Sequence, residues 1–191
     1  MTPRLDAQMA FLTEACRLKS VNRATPLCDG SRPENSAEHS WHIALYALVL
    51  ADQAPAGVDI NRVIRMLLIH DLVEIDAGDA PIYGNHDAAA LRDAELAAAT
   101  RIFGLLPADQ GATLRALWDE FEANQSPDAR FAKSLDRFQP PNQNLAAGGG
   151  SWTDYNVGYD TLVNRVGDKI AHGAPSLWGW INPRIRAFFN V

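Results

Sequence analysis

Apolar residues recur at helical spacing along most of the chain. Met9, Leu12, Ala15 and Cys16 mark one stripe within Leu5 to Lys19, the three- and four-residue spacing of a helix with one buried face. The pattern lapses from Val21 to Asn35, where Arg23, Pro26, Asp29, Gly30, Arg32 and Pro33 collect, a composition that reads as a loop. Asn35 or Ser36 then caps a second helix, with Glu38 placed to complete a capping box. From Ile43 to Leu50 that helix is apolar nearly all round, which predicts a buried central position. Pro55 and Gly57 break the chain, and Asp59 caps a third helix predicted from Ile60 to about Ala77.

Gly78 to Gly84, with Pro81, reads as a turn and loop. His86 or Asp87 opens an alanine-rich helix, Ala88 to Phe103, which Gly104 ends. Pro107 opens a fifth helix, ending near Asn124. Ser126 as cap and Pro127 at the first helical position start a sixth. It carries Phe131, Leu135, Asp136 and Phe138, and Pro140-Pro141 is expected to interrupt it. Asn142 to Asn156, with Gly148-Gly149-Gly150, is expected to be the least regular part. Tyr159 to His172 and Pro175 to Phe189 read as closing helices. No stretch alternates as a strand does, and no internal repeat is present. The fold class is therefore all-α, with about six to eight helices. Residues 1–191 read as a single domain, with 142–191 a divergent C-terminal extension of the bundle.

Against this pattern a few polar residues stand out. His70 and Asp71 follow the apolar run Met66-Leu67-Leu68-Ile69, where a polar pair needs a bonded partner. Glu74 follows one turn later and Asp79 just beyond Gly78. His39 lies one turn into the second helix, and Asp136 sits in a half-apolar stretch of the sixth. Two imidazoles and two carboxylates converging from three helices would suit a divalent ion such as Mn, Co, Fe, Mg or Zn. Each residue also has an ordinary reading. His70-Asp71 can be a buried hydrogen-bonded pair, His39 a capping residue, and Asp136 a solvated partner of Lys133 or Arg137. His42 reads as a hydrogen-bonded core residue, and His86 and His172 as surface residues.

Composition narrows the partners. The chain has 191 residues and a formal net charge of -6, which disfavours a nucleic-acid groove and leaves room for a small anionic substrate met by a few arginines. Its two cysteines, Cys16 and Cys28, form no metal pattern and read as reduced thiols. No signal-peptide core or membrane-length apolar run is visible, so a cytoplasmic location is expected.

The order His39, His70-Asp71, Asp136 resembles the signature of the HD-domain metal-dependent phosphohydrolases. The blocks Arg32-Pro33-Glu34-Asn35-Ser36-Ala37-Glu38-His39-Ser40 and His70-Asp71, Glu74, Gly78-Asp79, Pro81 resemble the branch that contains the bacterial 5′-deoxynucleotidase and its eukaryotic relatives. The likeness covers about residues 5 to 140. It implies a helical bundle holding one divalent ion through His39, His70, Asp71 and Asp136. It also implies hydrolysis of nucleoside 5′-monophosphates, often by a homodimer. Glu74 matches the family's acidic residue for the attacking water, Asp79 a second acid beside the substrate, and Arg23 a phosphate-binding arginine. Ala24 stands where the bacterial enzyme has an aromatic residue, so preference between ribose and deoxyribose stays open. Base preference and native metal stay open too. Other phosphate esters, cyclic nucleotides or alarmones are alternative substrates, and a non-catalytic nucleotide-binding protein is the alternative of another class. Trp152 and Tyr155, beside the glycine run, can form either a lid or a loop that packs its own aromatics.

Overall fold

Side-chain caps fix most helix starts. In the computed structural model, which describes residues 2–191, Thr2 caps α1 (Pro3–Ala15). Asn35 caps α2 (Ser36–Val49), accepting from the Glu38 amide while the Glu38 carboxylate accepts from the Asn35 amide. This reciprocal box satisfies two amides that have no helical partner. Asp59 caps α3 (Ile60–Ile69) and Asp87 caps α5 (Ala88–Phe103). Pro107 precedes α6 (Ala108–Ala123), and Ser126 caps α7 (Pro127–Ala146).

Three local expectations are corrected. The segment before α2 is more than a loop. It forms a two-stranded antiparallel ribbon, β1 (Asn22–Pro26) and β2 (Pro33–Asn35), pairing Asn22 with Asn35 and Pro26 with Pro33. Strands this short, with prolines at their ends, leave no alternation to detect. The third helix is not uniform to Ala77. It tightens into a 3₁₀ turn over His70–Val73 before α4 (Glu74–Ala77), which Gly78 ends at φ 76°. A mid-helix 3₁₀ turn of this kind often marks a functional hinge or local strain. Finally, Pro140 and Pro141 do not interrupt the sixth helix, which continues to Ala146. They remove the donors that would reach the carbonyls of Asp136 and Arg137. Tertiary bonds hold the turn beyond them: Asn142 donates to Tyr46 Oη at 2.8 Å and Gln143 to the Pro26 carbonyl at 3.2 Å.

Two apolar clusters organise the molecule. The larger joins Ile43, Met66, Leu67, Phe121, Phe131 and Leu135 to Leu162, Ile170, Ile181 and Ile185. The smaller joins Phe11, Leu18, Leu72, Val73, Ile102, Phe103 and Trp118. The His70–Val73 turn runs from one cluster into the other, and Trp118 Nε1 donates to the His70 carbonyl at 3.1 Å. After α8 (Ser151–Asp154), α9 (Tyr159–Leu162) passes through a π turn into α10 (Asp168–Gly173), and α11 (Pro175–Phe189) closes the chain. These last helices contribute to the larger cluster. No helix among the described residues is long and apolar enough to cross a membrane.

Candidate metal centre

His39 is supplied by the first turn of α2, His70 by the 3₁₀ turn after α3, and Asp136 by the middle of α7. Ligand atoms of the three lie within 4.8 Å of one another. All are buried, His39 completely. His39 Nδ1 lies 3.1 Å from Gln139 Oε1, an acceptor only, so Nδ1 carries the hydrogen. His70 Nδ1 likewise donates to the Leu67 carbonyl at 2.9 Å. Both Nε2 atoms then turn toward Asp136 Oδ1, at 3.1 Å from His39 and 3.8 Å from His70. His70 Nε2 is buried with no hydrogen-bond partner.

A neutral imidazole with its Nδ1 anchored by an oxygen aims a lone pair from Nε2. Two such lone pairs facing a carboxylate are repulsive unless a cation sits between them, and an anchored Nδ1 is the usual support of a ligating histidine. The donor set therefore fits a divalent ion. The carboxylates here favour a positive charge at this spot, whether a proton on His70 or a bound cation. Burial disfavours positive charge at His70, yet Asp71 and Asp136 outweigh it and lift the imidazole to about 10. Burial is likewise outweighed at Asp136, where Arg137 and the two histidines hold the carboxyl well below its usual range.

The other expected residues form the wall beside this group. Asp71 stands just outside the three-residue cluster, with Oδ1 2.8 Å from His70 Nε2 and Oδ2 accepting from Arg23 at 3.0 Å. Burial opposes its charge, but His70 and Arg23 prevail and lower it to about 2. Glu74 accepts from Ser36 Oγ at 2.5 Å and lies 3.7 Å from Arg23. Burial, then the Asp71 charge, hold Glu74 well above the usual carboxylate range. Asp79 lies 3.5 Å from Arg23. Burial raises its carboxyl, and Asp71 adds to that against the pull of Arg23. Arg23 Nη1 thus sits among Asp71, Glu74 and Asp79.

A cavity of about 200 Å³ opens onto these groups. Its floor is one face of α7, from Lys133 through Asp136, Arg137 and Pro140 to Asn144. Ala80–Tyr83, Ser151, Trp152 and Tyr155 also line it. Trp152 is buried against Phe188 and Phe189, whereas Tyr155 is exposed. The glycine run before them forms a turn. Gly148, Gly149 and Gly150 all have positive φ, and Asn144 Oδ1 accepts from the Ser151 amide at 3.0 Å.

Two supporting residues escaped the sequence reading. Gln139 orients His39 and donates through Nε2 to Glu34 at 2.9 Å. Glu34 is buried, with Oε2 3.4 Å from His39 Nδ1. Gln139 lies three residues after Asp136 on the same helix face, a spacing that could have flagged it. His42 shares this cluster, 3.2 Å from Gln139 Nε2.

The family profile described as the HD domain matches residues 15–178. The chain belongs to the HD-domain family. A 5′-deoxynucleotidase, HDDC2, from Homo sapiens is 33% identical over 130 residues, 68% of this chain. That match spans only 62% of the human protein's length. The 5′-deoxynucleotidase plu3092 of Photorhabdus laumondii is 27% identical over 169 residues, covering 83% of this chain and 84% of its own. A crystal structure of a predicted metal-dependent phosphohydrolase from Magnetospirillum magnetotacticum MS-1 superposes with a TM-score of 0.92 at 46% identity. It covers 98% of this chain and 93% of its own. This HD domain is thus an all-α fold whose buried His39, His70 and Asp136 can hold a metal ion of unspecified identity.

Proposed function

We propose that the protein is a divalent-metal-dependent phosphomonoesterase that converts (deoxy)nucleoside 5′-monophosphates to nucleoside and phosphate. One observation carries the reading: two buried imidazoles, each anchored through Nδ1, aim Nε2 at Asp136 beside a cavity that also holds Glu74, Asp79 and Arg23. The names of the human and bacterial relatives support the substrate class.

His39, His70 and Asp136 would hold the ion, with Asp71, whose Oδ1 lies 2.8 Å from His70 Nε2, as the candidate fourth ligand. When bound, a divalent ion polarises a phosphoryl oxygen and lowers the pKa of water. Glu74 accepts the proton of the attacking water as the new P–O bond forms. Ser36 fixes one Glu74 oxygen. As the bond between phosphorus and the 5′-oxygen breaks, Asp79 donates a proton to the leaving oxygen. Arg23 spreads its charge over Asp71, Glu74 and Asp79, holding these acids together, and faces the incoming phosphate from the β1 side.

The assembly is a homodimer in this reading. Trp41, Leu45, Leu48 and Val49 expose apolar surface along α2, more than an isolated helix face ordinarily leaves in water. The free, exposed thiols Cys16 and Cys28 support a reducing cytoplasmic location. A panel of nucleoside monophosphates incubated with Mn²⁺ or Co²⁺ tests the activity. Phosphate release is expected, and absence of turnover with every nucleotide and divalent ion would sink the reading.

A further inference from the structure

Three cations line the cavity: Arg23, Lys133 and Arg137. They are not equally available to an anionic substrate. Arg23 Nη1 has Asp71, Glu74 and Asp79 at 3.0, 3.7 and 3.5 Å, and its Nε has Glu34 at 4.0 Å. Its charge is already shared among four carboxylates. Lys133 Nζ donates to Glu122 at 2.9 Å and sits 4.0 Å from the centre of the Phe121 ring.

Arg137 differs. Its one ion pair among the described residues is a long one, Nε to Asp136 Oδ2 at 3.6 Å. Its Nε is buried with no hydrogen-bond partner. A helix arginine can pair with an acid three or four residues away. Here those neighbours are Lys133, Ser134, Pro140 and Pro141, so α7 offers it none. The guanidinium is nonetheless held in the cavity wall, one residue from the Asp136 side chain that faces both histidines.

We propose that Arg137, on the α7 side of the centre, grips the substrate phosphate in addition to Arg23. The proposal rests on the phosphomonoesterase reading and deepens it. A guanidinium fork matches two phosphate oxygens at once, and an arginine without internal acceptors loses nothing by making those bonds. Lys169 is lowered, first by burial and then by the charges of Arg137 and Lys133, which places these cations near one another.

The test titrates inorganic phosphate into Mn²⁺-loaded protein by calorimetry, alongside measured manganese content. Arg137→Gln is expected to weaken phosphate binding by about 10- to 100-fold, the range of one charged hydrogen-bonding group. Arg137→Lys, which keeps the charge and loses the fork, is expected to fall between the two. Manganese content stays at the wild-type level in both. With nucleoside monophosphates, KM rises in the same order and kcat changes less. Equal phosphate affinity in wild type and Arg137→Gln, no phosphate binding by wild type, or a loss matched by loss of manganese overturns the proposal. If Arg137→Gln does not fold, Arg137→Lys decides. Weaker binding at full manganese content supports the role, and wild-type affinity overturns it. Failure of every nucleotide to turn over removes the functional reading, while the phosphate titration still decides the role of Arg137.

Discussion

At the scale of single residues, the centre separates holding from reacting. Asp136 receives both imidazoles, so Asp136→Ala is expected to abolish stoichiometric manganese binding, measured by elemental analysis after dialysis. In the proposed mechanism Glu74 takes the proton of the attacking water. Glu74→Gln keeps the Ser36 contact and the volume but cannot take a proton. Its kcat is expected to fall by about 10²- to 10⁴-fold, with manganese content unchanged. A kcat near the wild-type value would move the base elsewhere. Gln139 acts through His39. Gln139→Leu removes the acceptor that fixes the Nδ1 hydrogen, and metal affinity is expected to drop by about 10- to 100-fold. A competitive chelator titration reads that change directly. If affinity is unaffected, the tautomer is set by Glu34 alone.

At the scale of elements, α7 matters most, because it supplies Asp136, Gln139 and Arg137 and forms the cavity floor. Its position depends on a close crossing with α10. A Cβ at Gly173 would fall 2.3 Å from the Arg130 carbonyl oxygen and 2.4 Å from Ser134 Oγ. Backbone cannot yield as a flexible side chain does. Gly173→Ala is therefore expected to destabilise the protein by about 1–3 kcal/mol, seen as a lower urea midpoint. A second effect should accompany it, a weakened metal affinity, since moving α7 moves Asp136 away from the histidines. An unchanged midpoint would mean that the crossing relaxes freely.

At the scale of the whole molecule, surface ion pairs tie distant segments together and set the response to acid. Arg62 on α3 pairs with Glu120 on α6, and Arg32 with Glu38. Hydrogen bonding to these arginines lowers both carboxyls from their ordinary value of 4.5. A carboxyl lowered in the folded state adds stability that is fully present above its unfolded pKa and is lost as pH falls through the folded value. The urea midpoint is thus expected to decline as pH drops below 4.5. Arg62→Gln should start lower at pH 6 and decline less steeply. A parallel decline in both proteins would show that the Arg62–Glu120 pair contributes nothing. The α2 surface gives a separate expectation. Leu48→Glu should convert a dimer to monomer by analytical ultracentrifugation, and a wild-type protein that is already monomeric would refute the dimer.

What the sequence determined by itself was local and compositional. Helix caps at Asn35, Asp59, Asp87 and Ser126 act within four residues, so their chemistry is visible in the order of side chains. The all-α class followed from helical spacing that persists along the chain. The candidate ligands were legible because a polar pair such as His70-Asp71 contradicts its apolar surroundings. Tertiary structure alone decided the rest, for the physical reason that packing can outweigh local propensity. Pro140 and Pro141 predict a break, yet α7 continues because bonds to Tyr46, Pro26 and Ser151 hold its end. Gln139 and Glu34 carry no signal until two elements meet at His39. Arg137 looked like an ordinary partner for Asp136, and only the folded chain shows that no other acid among the described residues pairs with it.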